Sequence, residues 1–191
     1  MSIKITIFAS GNGSNAENII NYFKNHPKIE VSMVLSNNKK AGVIQKVAKL
    51  NVPFHIFSRD DLYNTHRVLE LIKDTDWIIL AGFLWKFPEN ILNNFPDRVI
   101  NIHPALLPKY GGKGMYGLHI HQAVVDNKEK ETGITIHYVN ENYDEGKIIF
   151  QTKTEVSVTD TAEDVAKKIH LLEQNFFPKV VEELITNNQK F

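Results

Sequence analysis

The chain alternates between short apolar runs and stretches in which apolar residues recur every three or four positions. Residues 3–10, IKITIFAS, predict a strand. In SNAENIINYFKN (14–25), Ala16, Ile19, Ile20 and Phe23 share one helical face. The alternation continues with a strand at 31–36 (VSMVLS), a helix at 41–50 (AGVIQKVAKL), a strand at 54–57 (FHIF) and a helix at 61–73 (DLYNTHRVLELIK). WIILAG (77–82) is apolar throughout, as a parallel strand buried on both faces would be. PENILNNF (88–95) predicts a short helix with proline at its start, and RVINIH (98–103) the next strand. Strands separated by helices pair in parallel through right-handed crossovers.

Beyond residue 104 the pattern changes. YGGKGMYG (110–117) holds four glycines and predicts a flexible loop. LHIHQAVVDN (118–127) predicts a helix. TGITIHYVN (132–140) and KIIFQTKTEVS (147–157) predict two strands paired as a hairpin around ENYDEG. Residues 161–184 close the chain as a helix bent or interrupted near Pro178. The expected class is α/β: one domain over 1–191, with a mixed, mostly parallel sheet flanked by helices and a C-terminal antiparallel hairpin. Its halves divide at 103/104.

Ligands of open α/β sheets bind beyond the carboxyl ends of the strands. That rule draws attention to Ser10, Ser36, Ser58, Gly82 and His103. Composition narrows the chemistry. The 191 residues carry 22 basic and 22 acidic side chains, so no net charge pulls toward nucleic acid or membrane. There is no cysteine, which excludes disulfides and thiolate metal sites. No apolar run approaches the roughly 20 residues that span a bilayer. MSIKITIFAS carries neither a basic leader nor a cleavage site, so a cytoplasmic location is expected.

ASGNGSN (9–15) joins the first strand to the first helix. Gly11 and Gly13 let the backbone turn tightly and approach a ligand. Ser14 with Glu17 three positions later matches a capping box. The N–H groups at such a helix start favour an anion, and a substrate phosphate would fit. The same residues also make a good turn with no ligand at all. The third glycine of the dinucleotide fingerprint and a G-K-[ST] ending are both missing, which argues against dinucleotides and nucleoside triphosphates.

NIHPALLPKY (101–110) carries the second candidate. Alternate strand residues face one side, so Asn101 and His103 can reach one ligand together. Asparagine donates a hydrogen bond without changing charge, and histidine moves a proton near neutral pH. The pair suits a reaction in which negative charge develops on a carbonyl oxygen. Asp144, in the acidic stretch NENYDEG (140–146), is the candidate anion to raise the pKa of His103. A satisfied structural histidine beside a solvated acidic turn explains the same residues. His119 and His121 lie two apart on a helix and diverge by about 200°, so no metal site is expected there. His137 reads as a strand residue.

Four stretches, ASGNGSN, LAGFLWKF, NIHPALLPKY and HYVNENYDEG, in this order and spacing resemble the phosphoribosylglycinamide formyltransferases, within the wider folate-dependent formyltransferase group. The resemblance covers nearly the whole chain. It implies a Rossmann-like fold with a nucleotide-binding half (1–103) and a folate-binding, catalytic half (104–191). It also implies formyl transfer from 10-formyltetrahydrofolate to the amine of glycinamide ribonucleotide in purine biosynthesis, without a metal. On this resemblance Asn101 meets the oxyanion, and His103 is an imidazolium proton donor. Asp144 raises the His103 pKa and positions a water. Gly13, Ser14 and Asn15 hold the phosphate, and Glu173 contacts the glycinamide substrate. Arg59, Leu84, Trp85, Lys86, Phe87, Asn140, Glu141, Asn142 and Tyr143 line the folate.

Two departures stand out. Relatives often have Met-Arg-Ile-Leu where this chain has Leu84-Trp85-Lys86-Phe87. The GGKGMYG insert after Pro108 is either a lid or a tolerated surface loop. The rivals are a sugar-nucleotide formyltransferase, a formyltetrahydrofolate hydrolase and a non-catalytic phosphate-binding module. The expected partners are small molecules only, with no nucleic acid and no membrane; a methionyl-tRNA formyltransferase would need a further nucleic-acid-binding domain.

Overall fold

The computed structural model describes residues 2–187, so the outermost limits expected for the domain, 1 and 191, lie outside the described residues. The seven strands run in the order β3-β2-β1-β4-β5-β6-β7. They are β1 (Ile3–Phe8), β2 (Ile29–Ser36), β3 (Phe54–Ile56), β4 (Trp77–Leu80), β5 (Val99–His103), β6 (Glu131–Tyr138) and β7 (Ile148–Glu155). β1 to β5 pair in parallel, whereas β6 and β7 pair antiparallel. The mixed sheet with a C-terminal hairpin follows the hydrophobic pattern. No helix among the described residues is long and apolar enough to cross a membrane.

The chain forms two compact units, Met1–Asn101 and Ile102–Phe191. In the first, helices α1 (Ser14–Phe23), α2 (Gly42–Lys49), α3 (Arg59–Tyr63), α4 (Arg67–Leu71) and α5 (Glu89–Leu92) connect the parallel strands. All four residues of β4 are buried, as its unbroken apolar run requires. The core centres on Phe8, whose ring meets those of Phe57, Phe83 and Phe87 edge-on at 5.8, 5.5 and 5.2 Å. Strand order reverses between β1 and β4. The segments leaving these strands, beginning at Ala9 and Ala81, therefore flank a topological switch point.

The expected helix at 61–73 is two helices. Ser58 and Asp61 form a capping box that starts α3 at Arg59, earlier than predicted. Asn64 then closes it, its side chain donating to Asp60 Oδ1, while Thr65 Oγ1 donates to Asp61 O and accepts from Arg67 N. The Thr65 hydroxyl thus takes backbone groups that a continuous helix would use.

The second unit contains α6 (Leu118–Asp126), the β6–β7 hairpin and α7 (Ala162–Asn187). α7 is a single 26-residue helix, so Pro178 does not interrupt it. Proline removes one helical hydrogen bond, but Pro178 lies in the buried stripe with Phe177, Val181 and Ile185. The apolar burial of that stripe offsets the loss. Thr135, fully buried on β6, holds the turn that follows β5: its hydroxyl donates to Ala105 O at 2.7 Å and accepts from Leu107 N at 3.0 Å. Gln151 Nε2 on β7 adds bonds to Leu107 O and Thr135 Oγ1.

Candidate active site

In the first unit, the glycine loop is built around Gly13, which adopts φ +75° and caps α1. The expected Ser14–Glu17 capping box does not form. Ser14 is already inside the helix, α1 has no side-chain cap, and the Glu17 carboxylate instead meets Lys46 Nζ at 2.6 Å. A Cβ on Gly13 would lie 2.4 Å from Val43 Cβ. Glycine is thus required twice, for the left-handed backbone and for the approach of α2. Gly13→Ala is expected to cost on the order of 3 kcal/mol, lowering Tm by roughly 10 °C. An unchanged Tm in a calorimetric scan would show that this helix start can shift freely.

Asn15 is buried beside this turn, and its Oδ1 has no hydrogen-bond partner. Ser10 ties the loop to its neighbours. Its N–H donates to Gly82 O at 3.0 Å, its Oγ accepts from Leu84 N at 3.0 Å, and its carbonyl accepts from Asn38 Nδ2 at 3.4 Å. Residues 84–87 play unequal parts. Leu84 is exposed, whereas the Phe87 ring belongs to the aromatic core around Phe8. Lys86 O accepts from the Tyr63 hydroxyl at 2.7 Å. Trp85 receives a guanidinium: Arg59 lies 5.7 Å from its ring and 5.2 Å from that of Tyr63.

In the second unit, His103 and Asp144 come together. His103 Nδ1 lies 3.5 Å from Asp144 Oδ1, an ion-pair distance longer than a hydrogen bond. His103 Nε2 meets Tyr110 O at 2.8 Å. Asp144 has φ +57°, and its Oδ2 accepts the Gly112 N–H at 2.9 Å. Side-chain exposures of 5% for His103 and 11% for Asp144 exclude most water from the pair. Asn101 and His103 are alternate residues of β5, the first half-buried and the second buried. In the loop before β7, Asn140 Oδ1 accepts from Asn142 N at 3.0 Å, Tyr143 is half-buried, and Glu141 is exposed. Glu173, on α7, lies 3.7 Å from His170 Nδ1.

The sequence did not single out His137, and the structure sets it against the same carboxylate. Its Nε2 lies 3.6 Å from Asp144 Oδ1, and its Nδ1 meets Tyr138 O at 2.8 Å. A carbonyl only accepts, so His103 Nε2 and His137 Nδ1 each carry a hydrogen. The remaining nitrogen of each ring faces one oxygen of Asp144. A proton arriving on His103 would find that carboxylate already beside it. A histidine within an apolar strand run (ITIHY) was the available signal.

The electrostatics correct one expectation. Burial pushes the His103 pKa below its ordinary 6.5; Asp144 and the Tyr110 carbonyl pull it up, and His137 pushes it down again. The net direction is down, so the resting imidazole is neutral rather than an imidazolium. Burial raises the Asp144 pKa, but His137, His103 and the Gly112 N–H outweigh it and hold the carboxyl below its ordinary 3.8. The site therefore pairs an ionised carboxylate with a neutral base that has room for one proton.

The formyl transferase family profile matches residues 3–181. The chain belongs to the formyl transferase family. A chloroplastic phosphoribosylglycinamide formyltransferase of Arabidopsis thaliana is 33% identical over 186 residues, which are 93% of this chain and 64% of the plant protein. The chain thus spans less than two thirds of that relative's length. The phosphoribosylglycinamide formyltransferase of Bacillus subtilis is 31% identical over 194 residues, covering 98% of this chain and 97% of its own. The crystal structure of the phosphoribosylglycinamide formyltransferase from Anaplasma phagocytophilum superposes with a TM-score of 0.88 at 30% identity, covering 98% of this chain and 89% of that one.

Proposed function

We propose that this formyl transferase family member moves the formyl group of 10-formyltetrahydrofolate to the amine of glycinamide ribonucleotide, giving formylglycinamide ribonucleotide and tetrahydrofolate in purine biosynthesis. The observation that carries this is the buried His103–Asp144 pair, a neutral base held against an ionised carboxylate. The relatives of similar length bear the name of that activity. The substrates are small molecules, neither nucleic acid nor membrane has a role, and the protein works in the cytoplasm.

The amine attacks the formyl carbon, and the carbonyl electron pair moves onto oxygen. Asn101 donates a hydrogen bond to that oxyanion. The amine's surplus proton passes to His103, which becomes imidazolium beside Asp144. It then passes to the leaving N10 nitrogen as the carbon–N10 bond breaks and the carbonyl re-forms. Asp144 holds the transient imidazolium and orients a relaying water.

Gly13, Ser14 and Asn15 bind the substrate phosphate. The start of α1 supports this, because no side chain caps its N–H groups. Glu173 contacts the glycinamide portion. Arg59, residues 84–87 and residues 140–143 contact the folate, Phe87 through its backbone because its ring is in the core.

Purified protein incubated with 10-formyltetrahydrofolate, with and without glycinamide ribonucleotide, tests the proposal. Tetrahydrofolate release that depends on the ribonucleotide is the expected result. Release without it would make the protein a hydrolase, and no release in either mixture would overturn the proposal.

A further inference from the structure

One short backbone segment holds both members of the His103–Asp144 pair. The Tyr110 carbonyl accepts from His103 Nε2 at 2.8 Å, and two residues later the Gly112 N–H donates to Asp144 Oδ2 at 2.9 Å. Between them, a Cβ on Gly111 would lie 2.6 Å from Leu107 Cδ2, so a side chain there would have to displace the end of the buried Leu107. Tyr110 achieves this at φ +58°, a backbone conformation that L residues with large side chains avoid. Its own hydrogen bond to His103 is a single bond, and something must hold the conformation.

The Tyr110 side chain is tied at its far end. Its hydroxyl donates to Glu129 Oε1 at 2.9 Å and accepts from Asn127 Nδ2 at 3.0 Å. Both partners sit in the turn between α6 and β6. That turn is itself closed, because Glu129 N donates to Val124 O at 3.1 Å. Lys109 Nζ bridges both Glu129 oxygens at 2.9 and 3.2 Å, but this lysine is largely exposed and its ion pair is screened by solvent. The hydrogen bond from the half-buried tyrosine is the specific element.

We propose that Tyr110 and Glu129 are positioning residues: the Glu129–Tyr110 bond holds the Tyr110 carbonyl on His103 Nε2 and so fixes the tautomer that leaves Nδ1 toward Asp144. The groups facing His103 are then the Tyr110 carbonyl, Asp144 from the loop before β7, and His137 from β6. Removing the anchor frees Tyr110 to leave its left-handed conformation, and His103 loses the acceptor that selects Nε2–H. Catalysis is affected through the histidine, not through any contact of Glu129 with substrate. The proposal deepens the formyl-transfer reading and rests on it for its kinetic consequence only.

The test compares the wild type with Tyr110→Phe, Glu129→Leu and Glu129→Gln. Tautomer and titration of His103 are followed by nitrogen-15 NMR of the histidine rings, assigned by the signal lost in His103→Gln. Phe and Leu each remove the bond, whereas Gln keeps an acceptor for the tyrosine hydroxyl. Tyr110→Phe and Glu129→Leu are expected to convert a nearly pure Nε2–H form into a mixture and to move the midpoint down by about half a pH unit. kcat is expected to fall about tenfold in both with KM nearly unchanged, and Glu129→Gln to stay within about threefold of the wild type. His103 with wild-type tautomer and midpoint in folded Glu129→Leu would overturn the proposal, whatever happens to Tm. If Tyr110→Phe does not fold, the two Glu129 variants decide. The NMR measurement needs no formyl donor, so failure of the formyl-transfer assay and failure of this proposal are separate results.

Discussion

His103→Ala is expected to lose formyl transfer by about 10²- to 10⁴-fold in kcat while KM changes little. The magnitude follows from the proposed role, since the variant loses the group that takes the amine's proton and returns it to the leaving nitrogen. The pH profile sharpens the expectation. The folded-state pKa of His103 lies below 6.5, so the neutral base is present above that pH. As pH falls through the folded pKa, the resting imidazole charges and cannot accept the amine's proton. kcat/KM should be level above pH 6.5 and fall below it in the wild type, and the limb should vanish in His103→Ala. A variant with near-normal kcat, checked for fold by circular dichroism, would remove His103 from the mechanism.

Asp144→Asn is the second large effect, about 10- to 100-fold in kcat. The amide keeps the size of the carboxylate and an oxygen for the Gly112 N–H, so local shape is preserved. The charge is gone. Burial of His103 then goes largely unopposed, because Asp144 is the strongest influence raising its pKa. The histidine should titrate at lower pH than in the wild type, and the acid limb of kcat/KM should move with it. The transient imidazolium would be held less well, which is where the rate is lost. An NMR titration of His103 unaltered by the substitution would show that the 3.5 Å approach has no energetic content.

Much of this was legible in the sequence because the signals were local. The unbroken apolar WIIL could only be a doubly buried strand, and Asn101 and His103 were bound to share a face of whatever strand carried them. The failures have physical reasons. Ser14 with Glu17 matched a cap by spacing, but spacing does not report that Gly13 takes the left-handed turn while Lys46 claims the glutamate. The 61–73 periodicity runs through Asn64, whose side chain binds the Asp60 carboxylate, and Thr65, whose hydroxyl captures backbone groups on both sides. Proline inside α7 was read by its backbone cost, without the buried stripe that offsets it. His137 gives no clear signal although Asp144 is only seven residues on, because a register shift between Ile136 and His137 breaks the simple alternation there. Asp144 does pull the His103 pKa up, as the sequence suggests, but the burial that outweighs it is not legible in sequence.

Ser10 carries a consequence for anyone re-engineering this scaffold. Its three polar groups meet Gly82, Leu84 and Asn38, and the next residue, Gly11, accepts from Val43 N through its carbonyl at 3.2 Å. The segments 10–13, 37–43 and 82–84 are therefore a single graftable cassette. Exchanging one of them for the corresponding stretch of a relative strands backbone and amide groups on the other two, so swaps of specificity should be made with all three segments together.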